Sequence, residues 1–342
     1  MLSKPEELEE FNKMNIKFKA FVLEKKEKKI KGKIKTLLLK DLMPGNVLVK
    51  IAYSTFNYKD GLAIDSKIPI VKKYPMIPGV DFSGTVIESS HRKFTVNDRV
   101  LLNGWGVGEK HYGGFSQYAR VDGDWLQKIP KKFNERDSMI IGSAGYTSML
   151  CVMKILENIK PKDGKILVTG STGGVGSIAV NLLSRMNYHV VALTKKNNNT
   201  FLKKIGAKEI VNLNNFKIEN KPLKSTIWAG AIDTVGGDIL AEILKELSYN
   251  GVVACTGLAK SAILNTTVFP FILRNISLCG IDSVYAPRKK RVKAWELLEK
   301  YIDLSFLKKL YKVYTLKDLN LLSKQILAGK IYGRSLIDVN TN

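Results

Sequence analysis

The residues Gly170-Ser171-Thr172-Gly173-Gly174-Val175-Gly176-Ser177 have the types and spacing of a phosphate cradle. Glycine allows a tight turn, lets backbone N–H groups approach a pyrophosphate, and lets the next helix start close to a sheet. The glycines at 170, 173 and 176 read G-x-x-G-x-x-G instead of the G-x-G-x-x-G fingerprint. The turn joins an apolar strand, Lys165 to Thr169, to a helix, Val175 to Met186, as a dinucleotide site requires. A helix N-terminus there supplies partial positive charge to the phosphates. The end of the second strand selects the dinucleotide. Where an NAD site places an acid for the ribose hydroxyl, this chain reads Thr194-Lys195-Lys196. A hydroxyl and two ammonium groups attract a 2′-phosphate, so the expected cofactor is NADPH.

Zinc chemistry needs thiolate, imidazole and carboxylate ligands around one ion. Cys151, Cys255 and Cys279 are far apart, and none of His91, His111 and His189 lies near a cysteine in sequence. No C-x-x-C pair occurs. The expected metal content is none, and no disulfide framework is suggested. His189 reads as a packed or surface residue, and His111, within a glycine-rich loop, as a residue that could line a cleft.

Two kinds of element must position these groups. Strands are expected at Ile16 to Leu23, Val47 to Tyr53, Gly84 to Glu88, Arg99 to Leu102 and Phe115 to Val121, with a charged turn region from Glu24 to Lys33. Such spacing suggests a barrel-like or partly open β domain. From Ser138 the period changes to helical. Strands at Tyr188 to Leu193, Ala231 to Val235, Gly251 to Cys255 and Ile276 to Ile281 then alternate with helices, which means a doubly wound parallel sheet. The expected division is a β-rich domain over residues 1–140, completed by 288–342, and a Rossmann domain over 141–287. A basic helix, Lys289 to Tyr301, follows Pro287, and its run Arg288-Lys289-Lys290-Arg291 could steer an anionic substrate or simply be a solvated helix face.

At 342 residues, two domains are the natural prior. With 45% hydrophobic residues the chain reads as globular. No run of uninterrupted apolar residues reaches membrane-helix length, and the polar, acidic start MLSKPEELEEFNKMN is unlike a secretory or transit signal. A cytoplasmic location is expected. The 55 Lys+Arg against 31 Asp+Glu give +24, which attracts polyanions such as nucleic acids, nucleotide cofactors or coenzyme A thioesters. A broad replacement of neutral surface residues by Lys and Asn would give the same total.

A β-rich first half before this glycine turn resembles the medium-chain dehydrogenases. The likeness sharpens at Asn57-Tyr58-Lys59-Asp60-Gly61, Pro78-Gly79-Val80-Asp81-Phe82-Ser83-Gly84, Trp228 to Gly236, Phe271 to Asn275 and Gly280 to Val284. Together these segments resemble the acrylyl-CoA reductase group of the zinc-free, quinone-oxidoreductase-like members. The resemblance implies a GroES-like catalytic domain, a Rossmann domain, a cofactor cleft between them, and a homodimer. Where zinc members carry Gly-His-Glu, this chain reads Gly79-Val80-Asp81, without the imidazole. By position in the family's pattern, NADPH contacts fall on Tyr58, Thr172, Gly173, Gly174, Val175, Thr194, Lys195 and Lys196. Leu258, Ile272 and Ser283 follow as the nicotinamide-side wall. Glu209 stands where the family often has Arg, and Gly329 where it often has Asn.

The activity this implies is hydride transfer from NADPH to the β-carbon of acrylyl-CoA, giving propanoyl-CoA. Asn57 and Tyr58 then carry the catalytic role of stabilising the enolate oxygen, a role that rests mainly on the resemblance. Asn57 could equally be a turn residue, and Tyr58 a packed aromatic. The substrate would be an acyl-CoA or another small electrophilic alkene. A quinone or alkenal reductase uses the same hydride geometry. A nucleic-acid-binding protein with a nucleotide-sensing Rossmann domain suits the charge, but no RNA- or DNA-binding motif is present, which disfavours nucleic acid as a partner.

Overall fold

The computed structural model describes residues 15–27, 29–195 and 199–341. The polar N-terminal segment therefore lies almost wholly outside the described residues, as does Lys196. The chain divides into two compact units, residues 1–143 with 310–342 and residues 144–309.

The first unit opens with β1 (Lys17–Lys26) and β2 (Lys29–Leu38), paired antiparallel from Lys17↔Leu38 to Lys26↔Lys29. This corrects the expected turn over Glu24 to Lys33, most of which is strand. Lys29, Lys31, Lys33 and Lys35 alternate with Ile30, Gly32 and Ile34, the period-2 signature of a strand. Next come β3 (Val47–Phe56), α1 (Tyr58–Asp65), β4 (Asp81–Ser89), β5 (Arg99–Asn103), β6 (Tyr118–Val121) and β7 (Gln127–Lys128). Helix α2 (Glu135–Leu156) crosses the unit boundary in sequence and is broken at Gly142, where φ is 52°. By length and composition α2 could cross a membrane, yet most of it is buried inside the protein, as a core helix is.

The second unit continues with β8 (Lys165–Thr169), α3 (Gly174–Arg185), β9 (His189–Thr194), α4 (Asn199–Lys204), β10 (Glu209–Asn212) and β11 (Trp228–Asp233). It ends with α5 (Gly237–Lys245), β12 (Leu247–Cys255), α6 (Phe269–Arg274), β13 (Ser277–Gly280) and α7 (Arg288–Tyr301). Its six strands are parallel in the order β10-β9-β8-β11-β12-β13. This is the doubly wound sheet expected of the α/β fold, with a switch point between β8 and β11. The chain then returns to the first unit through β14 (Tyr311–Thr315), α8 (Leu319–Leu327) and β15 (Arg334–Asp338). There β15 lies between β14 and β3 in a seven-stranded sheet that continues through β4, β5 and β7, with β6 also on β3.

The hand-back comes at Leu310, later than the expected residue 288. The reason is α7. It buries Arg291, Ala294, Trp295 and Leu298, one stripe at helical spacing, within the second unit. Arg291 donates to the carbonyls of Ala286 at 2.9 Å and Ser283 at 3.1 Å, and to that of Val284, and its guanidinium lies 5.3 Å from the Tyr146 ring centroid. Arg291 is therefore a buried tie rather than a member of a steering run. Only Lys289 and Lys290 of that run are exposed, with Arg288 half-buried.

Candidate active site

Strand β8 ends at Thr169, and the glycine turn brings the chain into α3. Gly170 has φ 58°, and a Cβ there would stand 2.3 Å from Thr234 Oγ1. A Cβ on Gly176 would stand 2.4 Å from the Gly170 carbonyl oxygen. Both positions exclude a side chain. Ser171 is buried, and its hydroxyl donates to Val168 O at 2.6 Å, with Leu193 O at 3.1 Å, so the turn is tied to β8 and β9. The α3 N-cap is Gly173, with no side-chain cap and no acid in the first turn. The first N–H groups of a twelve-residue helix are thus left to an anionic ligand, which is the fit a pyrophosphate needs.

At the switch point, Thr169 Oγ1 donates to Asp233 Oδ1 at 2.8 Å and accepts from Thr234 N at 2.9 Å. Asp233 also accepts from Gly236 N at 2.8 Å, and burial raises its pKa above the usual carboxylate range. This acid is consumed by structure. Thr194, buried, ends β9, and Lys195 follows it, exposed. Among the described residues no acid pairs with Lys195. Glu209 lies at the opposite, amino end of the sheet. There His189 Nε2 is 2.6 Å away and Lys165 is 2.8 Å away, and Lys165 first, then His189, hold its carboxyl low. His189 is accordingly a partly exposed residue hydrogen-bonded to Glu209. Leu258 and Ser283 sit on the segments that leave the carboxyl ends of β12 and β13, and Ile272 sits on α6. Leu258 and Ile272 are exposed, at 47% and 69%.

In the first unit, Asn57 caps α1 and Tyr58 begins it. Asn57 N donates to Asp60 Oδ2 at 2.8 Å, the reciprocal half of a capping box. The Asn57 amide nitrogen faces Thr55 Oγ1 at 3.0 Å, and Asp60 Oδ2 and Asp81 Oδ2 at 3.2 Å each. Its amide oxygen accepts from Arg334 at 3.1 Å. Both ends of this side chain are therefore engaged inward, whereas the half-buried Tyr58 hydroxyl makes no hydrogen bond among the described residues.

Around Asn57 stands a network that the sequence did not single out. Asp81 accepts from Thr55 N at 3.1 Å, Thr55 Oγ1 at 2.8 Å and Ser143 N at 2.7 Å. Arg334, 3% exposed, donates to Ile140 O and Thr55 Oγ1, both at 2.9 Å. The break in α2 makes room for it: a Cβ on Gly142 would lie 2.6 Å from the guanidinium. Where the zinc members' imidazole would stand, Val80 offers only its N–H, at 3.1 Å from Asp60 Oδ1.

His111 is structural. Its ring nitrogens lie 3.0 Å from Pro44 O and 3.2 Å from Tyr112 O, and it packs edge-on against Trp125. Among the described residues, one trio of possible metal donors, His91, Asp122 and Asp124, lies within 4.8 Å. The Lys93 ammonium is already 3.1 Å from Asp124 there. No cysteine takes part.

Comparison with known proteins agrees with both halves of this picture. Residues 43–131 match the family described as alcohol dehydrogenase GroES-like domain, and residues 174–300 that described as zinc-binding dehydrogenase. The chain is 43% identical to the acrylyl-CoA reductase AcuI of Ruegeria pomeroyi, over 94% of this chain and 99% of that protein. It is 38% identical to a putative quinone oxidoreductase, YhfP, of Bacillus subtilis, over 95% of this chain and 99% of that one. The crystal structure of the yhdH oxidoreductase from Salmonella enterica in complex with NADP superposes with a TM-score of 0.92 at 44% identity, covering 94% of this chain and all of that one.

Proposed function

We infer that this chain, which belongs to the acrylyl-CoA reductase group of the medium-chain dehydrogenases, uses NADPH to reduce the carbon–carbon double bond of acrylyl-CoA to propanoyl-CoA. The observation that carries the cofactor is the uncapped N-terminus of α3 behind a glycine turn, with Thr194 and Lys195 where an acid would select NAD. The acceptor rests on the relative named acrylyl-CoA reductase, with which nearly the whole chain aligns.

Thr172, Gly173, Gly174 and Val175 hold the pyrophosphate through the turn and the first N–H groups of α3. Thr194 and Lys195 face the 2′-phosphate, joined by Lys196, and Leu258, Ile272 and Ser283 form the nicotinamide-side wall. NADPH, when bound, supplies the hydride. Reduction of an enoyl thioester places negative charge on the thioester oxygen, and this charge needs a hydrogen-bond donor. Tyr58 is that donor, since its hydroxyl is unengaged. Asn57 was expected to share the role. With its amide protons directed at Thr55, Asp60 and Asp81, it instead holds the start of α1 in place.

Initial rates of NADPH oxidation with acrylyl-CoA, free acrylate and a simple quinone test the acceptor. We expect kcat/KM for acrylyl-CoA to exceed that for the quinone by at least about tenfold, a difference of about 1.4 kcal/mol in transition-state binding. A quinone preferred over the thioester would overturn the reading.

The protein works as a homodimer paired along β13. This outermost strand exposes Ser277 and Gly280, and Val268, Phe269 and Leu273 are exposed just before it. An open edge beside apolar surface is a template for a second copy. Sedimentation equilibrium should give twice the chain mass of 38.2 kDa, and a monomer at micromolar concentration would refute the pairing. Three free cysteines suit a reducing cytoplasm.

A further inference from the structure

The first unit buries more charge than the reaction uses. Asp60 and Asp81 are 1% and 0% exposed, and Arg334 is the cation buried beside them. With both carboxylates ionised this cluster carries one net negative charge, and with one proton it is neutral. Burying uncompensated charge is costly, so such a cluster tends to retain a proton.

Asp60 is the place for it. Its carboxylate accepts from Asn57 N at 2.8 Å, from the Asn57 amide at 3.2 Å and from Val80 N at 3.1 Å. These three donors favour the ionised form. Burial, and after it the charge of Asp81, oppose them and push the pKa up to about 7. Asp60 is also the third residue of α1, and Tyr58 is the first. A proton on either carboxylate oxygen turns an acceptor into a donor among N–H groups that all donate. At least one of the three contacts must then lengthen, and two of them fix Asn57.

We propose that Asp60 is a positioning residue whose ionised carboxylate holds the Asn57–Tyr58 turn in the reactive geometry, and that a proton taken up there loosens it. This rests on the reading of Tyr58 as the enolate's donor. The groups facing Asp60 are Asp81 from β4, Arg334 from β15 and the Asn57 amide. Helix α8 contributes only the neutral Ser323, which donates to Gly61 O at 2.9 Å. On α1 itself, Lys59 is paired with Glu109.

The sign follows from an acid that works ionised. The value of kcat/KM should rise through about pH 7 and level off above it. Asp60→Asn cannot ionise. Its rate should be at least about tenfold below the parent on the alkaline side, and flat across the range where the parent climbs. A purely structural role would lower the rate and leave the inflection in place. Asp81→Asn removes the neighbouring charge and should move the inflection to lower pH, which keeps the idea testable if Asp60→Asn does not fold. NADPH binding, read by fluorescence, should stay within a few-fold of the parent in both, because the turn and Lys195 that hold the phosphates belong to the second unit. A parent profile without an inflection between about pH 6 and 8, an Asp60→Asn profile that keeps it, or an Asp81→Asn profile that does not move would each overturn the proposal. Profiles are taken with whichever acceptor, thioester or quinone, turns over faster, so failure of the acceptor assignment leaves this result intact.

Discussion

Replacing Arg334 with methionine should destabilise the first unit by about 3–5 kcal/mol, the usual effect of stranding a buried charge by removing its partner. The guanidinium donates to Ile140 O, Asn57 Oδ1 and Thr55 Oγ1, and it is the buried cation whose charge acts on Asp81 and Asp60. Methionine fills similar space but provides no donor and no charge. A unit of this size should lose about 2–4 °C in Tm per kcal/mol. Hydrogen exchange should show new openings in β3, β4 and β15 and none in the parallel sheet of the second unit. Adding Asp81→Asn to Arg334→Met should recover part of the loss, because the stranded carboxylate is then gone. A single variant as stable as the parent, or a double variant no better than the single, would show that Arg334 does not compensate this charge.

The second large effect is expected at the nucleotide turn. In Gly176→Ala the new methyl group would lie 2.4 Å from Gly170 O and 2.8 Å from both Gly170 C and Ser171 Cα. All three are backbone atoms and no rotamer relieves them, so the first turn of α3 must move away from the turn it cradles. A displacement near 1 Å costs on the order of 100-fold wherever several contacts must be met at once. NADPH affinity should fall by about that factor, and the second unit should lose about 1–3 kcal/mol from overpacking. Gly173→Ala is the internal control. Its Cβ would meet only Gly170 O, at 3.3 Å, and its φ of −83° suits any residue. It should keep the stability of the second unit within about 1 kcal/mol of the parent, so NADPH affinity lost there reflects only the methyl group meeting the pyrophosphate. Equal losses of stability at the two positions would mean that the contact with Gly170 O is not what excludes a side chain at 176.

The nucleotide half was legible because its signals are local. A glycine turn, the strand before it and the helix after it lie within some twenty residues, and Thr194-Lys195 ends the very next strand. The β1–β2 hairpin was harder to read. Lysines fill the solvent face of β2, and a charged segment resembles a turn until its period of two is noticed. The network around Asn57 was largely illegible for a different reason. Arg334 donates to an amide 277 positions earlier in the chain, and the residues between them belong mostly to another folding unit. Asp60 and Asp81 stand in segments whose resemblance was recognised, yet nothing nearby in sequence marks them as buried or as neighbours. The one available hint was an arginine opening a short strand with an apolar centre, Arg334-Ser335-Leu336-Ile337-Asp338. An arginine in that position must be paired if it is buried.

The interrupted first unit also has a consequence during biosynthesis. Every residue of the second unit leaves the ribosome before Leu310, so the domain that begins later in the chain is complete earlier. Until β15 emerges, the Tyr53–Phe56 end of β3 has no partner on the side away from β4, where β6 covers only Val47–Lys50, and the two carboxylates have no cation to accompany them out of water. The nascent first unit must therefore wait, with Asp60 and Asp81 still hydrated, and closes only when the last strand delivers Arg334.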